Sequence, residues 1–144
     1  MGFVFQFLAV LCCLLFAGAA IYINLVEHPA GMGLDTKNAA GVWTPSYKRA
    51  TPMQATLAVL SFLAGVGAWL VGGGLPWLIG AVLIGLVVPF TFFAVMPTNH
   101  QLLLPGRDLS SPETRSLLEK WGCAQLGSLY RLSGFSIWSL KSPP

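Results

Sequence analysis

The chain holds two histidines, and each stands in a short polar cluster. One cluster is Asn24, Glu27 and His28 within "INLVEHPA"; the other is Asn99 and His100 within "MPTNHQ". An imidazole titrates near neutrality and can therefore take a proton at physiological pH. A carboxamide or phenol beside it can donate a hydrogen bond to the oxyanion so created, and a cation can stabilise the same charge through space. "WTPSYKRA", starting at Trp43, supplies such groups in Tyr47, Lys48 and Arg49. His28, His100, Asn99 and Tyr47 form the candidate catalytic set, with Asn24, Glu27, Trp43, Lys48 and Arg49 as candidate substrate-binding residues. An iron site made of His28, His100 and Glu27 is disfavoured, because adjacent Glu27 and His28 do not easily reach one ion. No other metal spacing is present, and the sequence specifies no cofactor.

For these clusters to act together, the intervening elements must bring them to one place. No Asp, Glu, Lys or Arg occurs from Met1 to Val26, and none from residue 50 to residue 106. Only 9% of the 144 residues are charged, against about a quarter in an ordinary soluble domain. Roughly 20 apolar residues suffice to cross the hydrocarbon layer, so the composition predicts an all-α integral membrane protein of one domain. The excess of basic over acidic residues does not imply nucleic acid, because the lysines and arginines are scattered and form no basic stripe. Cys12 and Cys13 are adjacent within an apolar run and Cys123 stands alone, which is neither a disulfide framework nor a zinc pattern. "FAGAA" resembles a signal-peptidase site, but the basic leader is missing and the apolar run continues to Val26, which favours an uncleaved anchor.

Four spans are predicted, at about 3–25, 53–71, 75–96 and 121–140. Pro29 should end the first helix just before it. Thr51, Pro52 and Gln54 read as N-cap, first helical residue and capping box of the second. The three glycines at 72–74 make a tight uncharged hairpin, and Pro97 marks the end of the third span. Ala64 with Ala68 and Ala81 with Gly85 have the small-residue spacing of close helix packing. Ser111 and Pro112 look like N-cap and first residue of another helix. Its apolar continuation carries Arg131 near the middle, so a full crossing and a helix lying on the surface both fit. Lys37, Lys48, Arg49, Arg107, Arg115 and Lys120 fall in the connections 26–50 and 97–120, against Lys141 on the other side. That asymmetry predicts a multi-pass protein with both connections on the cytoplasmic or matrix side.

The two polar clusters then emerge at one face, where they can meet a lipophilic aromatic molecule arriving from the bilayer. The same residues also suit a headgroup zone: His28 and His100 as interfacial rings, Trp43, Tyr47 and Trp121 as aromatic-belt anchors, and Lys48 and Arg49 as topology determinants. A transporter is disfavoured by the scarcity of ionisable residues in the spans.

"YINLVEHPA", "WTPSYKRATPMQA", "PTNHQLL" and "LLEKWG", in that order, resemble the anthrone oxygenase-like family of small four-helix membrane proteins. The similarity covers roughly residues 10–122. It implies oxidation of an anthrone or quinol-like compound by molecular oxygen, with no firmly associated cofactor. By the same resemblance His28, Tyr47, Arg49, Asn99 and His100 occupy motif positions. The chain departs from the family pattern after Trp121, where Gln125 and Ser128 stand in place of a histidine and an arginine. A non-catalytic membrane subunit, holding lipid or a partner membrane protein with the same rim, is the alternative expectation.

Overall fold

The computed structural model describes residues 1–133, including all their side chains except those of Phe92, Ala94 and 125–133. Every regular element among the described residues is helical. The prediction for 121–140 therefore falls partly outside them, as do the side chains of Gln125, Ser128 and Arg131.

Helix α1 (Gly2–Tyr22) does not stop before Pro29. It widens into a π-turn over Ile23–Glu27 and continues as α2 (His28–Met32). A proline lacks the N–H that would bond four residues back, and its ring crowds that carbonyl. The π-turn relieves the crowding by lengthening the register: the His28 N–H reaches five residues back, to the Ile23 carbonyl. The same device recurs before Pro97, where the π-turn Thr91–Val95 bonds the Met96 N–H to the Thr91 carbonyl. Both polar clusters are thus carried through a proline without a chain break.

A short corner at 33–35 leads into α3 (Thr36–Ala68), with Asp35 as its N-cap. The Asp35 carboxylate accepts from the Asn38 side chain at 2.5 Å and from its backbone N–H at 3.4 Å, and these bonds hold its pKa below the ordinary carboxylate value. The predicted start at Thr51 is therefore corrected. Helix α3 begins sixteen residues earlier, N-cap Asp35 against Thr51, and runs through Pro45 and Pro52. Thr51 and Thr44 are helix-interior residues whose hydroxyls donate to the Tyr47 and Ala40 carbonyls at 2.8 and 3.0 Å. The carbonyls that the prolines deprive of a donor belong to Gly41 and Lys48, both exposed, so helix can continue there without burying an unmet acceptor. Most of the expected connection 26–50 is consequently helical.

Helix α3 turns back at Val71–Gly74, where Gly72 and Gly74 take φ values of 91° and 86° that side chains avoid. Helices α4 (Leu75–Gly85), α5 (Val87–Phe90) and α6 (Met96–Leu102) follow. The next helix, α7 (Pro112–Ser133), starts where the sequence predicts, with Ser111 Oγ accepting from the Thr114 N–H at 3.2 Å.

Helix α3 is the shared partner of α1 and α4. Small residues allow the contact: Ala64, Ala68 and Ala81 are buried, and Ser61 donates to the Ala9 carbonyl at 2.9 Å. Two stretches, Gly2–Met32 and Thr36–Gly73, are long and apolar enough to cross a membrane, and Leu75–Phe90 is a shorter apolar helix. At the far end of α3 a different core gathers Ala39, Ala40, Trp43, Val95, Leu117, Leu118 and Trp121. There α7 packs on α2, α3 and α6.

A Cβ at Gly65 would lie 3.0 Å from the Ala81 side chain. Gly65→Leu is expected to wedge α4 away from α3 and to cost about 1–3 kcal/mol, measured as a lowered unfolding midpoint in detergent.

Candidate functional site

At the α7 end of α3 the helices enclose a cavity of about 520 Å³. Of the predicted residues, Asn24, Glu27, His28, Trp43, Tyr47 and Asn99 line it. His100, Lys48 and Arg49 are exposed and do not. Helical geometry separates them: each next residue turns about 100° around the axis, so Asn99 and Tyr47 facing the cavity direct His100 and Lys48 away. The two clusters therefore meet, but contribute one histidine.

The lining is pinned by a few specific contacts. Asn99 is fully buried, and its Nδ2 donates to the Tyr47 hydroxyl at 2.9 Å, joining α6 to α3. Among the described residues the hydroxyl's own proton meets only the Met96 sulfur at 3.9 Å, a weak acceptor. Tyr47 stacks on Trp43 with ring centroids 4.9 Å apart and planes within 6°, as their one-turn spacing on α3 allows. Trp43 and Trp121 meet nearly at right angles with centroids 5.7 Å apart, and the Trp121 ring centroid lies 5.1 Å from that of the His28 imidazole. Ser46 donates to the Glu27 carboxylate, linking α3 to the first π-turn.

Four buried side-chain atoms have no hydrogen-bond partner among the described residues: Asn24 Oδ1, Asn99 Oδ1, Trp43 Nε1 and Trp121 Nε1. All four belong to cavity-lining residues. Leaving such an atom unmet costs about 1–3 kcal/mol, and two acceptors and two donors of this kind lie in the cavity wall. An apolar chamber with a few convergent polar groups is the usual form of a small-molecule site.

Sequence reasoning missed several contributors. Trp121, read as a belt anchor, is only 4% exposed and packs on His28. Gly122 lies against the same imidazole. Arg115, counted only as a loop charge, donates to the Met32 and Leu34 carbonyls at 2.6 and 2.9 Å, and so fastens the α2–α3 corner to α7. Ser46 and Gln54 also line the cavity. The four-residue spacing of Trp43 and Tyr47 and the bare glycine after Trp121 were the available signals. Among the described residues no three His, Cys, Asp or Glu side chains are grouped to hold an ion.

A family model described as anthrone oxygenase matches residues 43–127, more than half of the chain. The chain belongs to the anthrone oxygenase family. The matched region contributes Trp43, Tyr47, Asn99, Trp121 and Gly122; Asn24, Glu27 and His28 lie before it, Glu27 and His28 joining it through Ser46 and Trp121 and Asn24 lining the shared cavity. No curated protein and no solved structure matches the chain.

Asn99→Ala removes the donor to the Tyr47 hydroxyl. It is expected to lower stability by roughly 1–3 kcal/mol, read from thermal unfolding of the purified protein.

Proposed function

We propose that this chain is a multi-pass membrane oxidoreductase of anthrone-oxygenase type, acting on a lipophilic aromatic or quinol-like molecule bound in the cavity. The observation that carries the reading is the gathering of His28 and the four residues with unmet polar atoms, Asn24, Trp43, Asn99 and Trp121, around one largely apolar chamber. Family membership supplies the reaction class.

In this mechanism His28 takes a proton from an acidic C–H or phenol of the substrate. The Tyr47 hydroxyl, already accepting from Asn99, turns its own proton towards the developing oxyanion. The resulting carbanion donates electrons to molecular oxygen, and protonation gives a hydroperoxide at that carbon. Loss of water then leaves a carbonyl: one CH2 and one O2 become one C=O and one H2O. Trp43 and Trp121 offer flat apolar surface to the substrate's rings. Asn24 and Glu27 border its oxygenated edge. Lys48 and Arg49 act outside the cavity, against anionic headgroups.

The membrane placement is supported by the exterior. Leu14, Leu63, Leu70, Leu83 and Phe93 are each more than half exposed, a surface suited to lipid rather than water. A 33-residue helix such as α3 extends about 50 Å, well beyond the roughly 30 Å hydrocarbon layer, so its Trp43–Tyr47 end reaches the interface. The excess of basic residues in 26–50 and 97–120 favours the cytoplasmic or matrix side for that end.

Protein purified in detergent and given an anthrone is expected to consume oxygen above background, with His28→Ala reducing kcat by about 10²-fold or more and His100→Ala close to wild type. Equal rates for wild type and His28→Ala would refute the assigned base. A stoichiometric partner without oxygen uptake would instead identify a non-catalytic subunit. Single cysteines at positions 34 and 106, in a background lacking Cys12, Cys13 and Cys123, are expected to label from the same side of sealed vesicles. Labelling from opposite sides would remove the topology.

A further inference from the structure

We infer that Gly122 is a positioning residue for His28, the missing side chain on α7 being the seat that fixes the imidazole. A Cβ built on Gly122 would clash with His28 Nε2 and lie 2.7 Å from Cδ2. No other glycine among the described residues meets a titratable side chain in this way. Trp121, one residue earlier on α7, confines the same ring from a second direction at 5.1 Å. The backbone under His28 is fixed as well, being helical, preceded by the π-turn and followed by Pro29. The imidazole therefore moves only by side-chain rotation, and α7 blocks part of that rotation. Arg115, on the same helix, holds the carbonyls of Met32 and Leu34, so α7 sets both the height of α2 and the orientation of its histidine.

The role rests on His28 acting as the base, but its physical content is testable without turnover. Gly122→Ala puts a methyl group in steric conflict with Nε2, and the least costly response is displacement of the ring. Carbethoxylation by diethyl pyrocarbonate, followed by peptide mass, reports the two histidines separately, with exposed His100 as internal reference. The His28-to-His100 rate ratio is expected to rise several-fold in Gly122→Ala and to stay unchanged in Gly41→Ala, where an added Cβ meets nothing within 4 Å. A ratio in Gly122→Ala that is unchanged or lower would overturn the inference.

In turnover, Gly122→Ala is expected to lower kcat by up to about 100-fold, the scale of an ångström misplacement. That loss should vanish in a His28→Ala background, whereas a merely structural defect would add to it. If Gly122→Ala alone does not fold, recovery of folded protein by adding His28→Ala supports the seat, and failure to recover overturns it. Should wild type show no oxygenase activity, the labelling ratio still decides the packing, and only the catalytic assignment of His28 falls.

Discussion

The hydrogen bond from the buried Asn99 amide to the Tyr47 hydroxyl is the constraint on which the rest of this structure depends. It joins α6 to α3 at the end where α2 and α7 also meet. An amide inside apolar surroundings cannot be left without a partner at small cost, so this pairing selects one relative setting of the two helices. The Trp43–Tyr47 stack and the Trp121 ring then close around that setting, and the chamber follows as the space the rings and helices border.

Two prolines make the arrangement feasible. Pro29 and Pro97 each follow a π-turn, and each π-turn delivers a polar cluster without ending its helix. A five-residue register widens the turn where a proline ring would otherwise collide, and such turns recur at functional sites. Here the turns carry Asn24 and Glu27 on one side of the cavity and lead into Asn99 on the other. The backbone irregularity and the site are thus the same feature, seen once as sterics and once as chemistry.

The distribution of small residues divides the molecule in two. Along the apolar part of α3, Ala64, Gly65 and Ala68 permit close contact with neighbouring helices and leave little room. Towards the polar end the packing passes to tryptophan, tyrosine and leucine, whose bulk holds helices apart and encloses volume. Within one helix, sequence composition switches from contact to chamber. The family to which the chain belongs is matched across that switch, from Trp43 onward.

Several elements were legible in the residues alone. Uncharged stretches of that length require helices, because a buried backbone must satisfy its own hydrogen bonds. Glycines at 72–74 require a reversal, and Ser111 before Pro112 marks a helix start. The meeting of the clusters around Asn24 and Asn99 was likewise implied by the order of apolar runs. The helical continuity through Pro29, Pro45 and Pro52 was not legible, since local preference disfavours helix before a proline and only register shifts and exposed carbonyls overrule it. Nor was the separation of Asn99 from His100, neighbours that part by a third of a helical turn. Sequence by itself determined that the apolar stretches are helical, where the glycines reverse them and which polar groups share one end. Only tertiary structure decided which of those groups face inward and that Gly122 lies against His28, because facing depends on the rotation of each helix, and rotation is set by contacts between residues far apart in the chain.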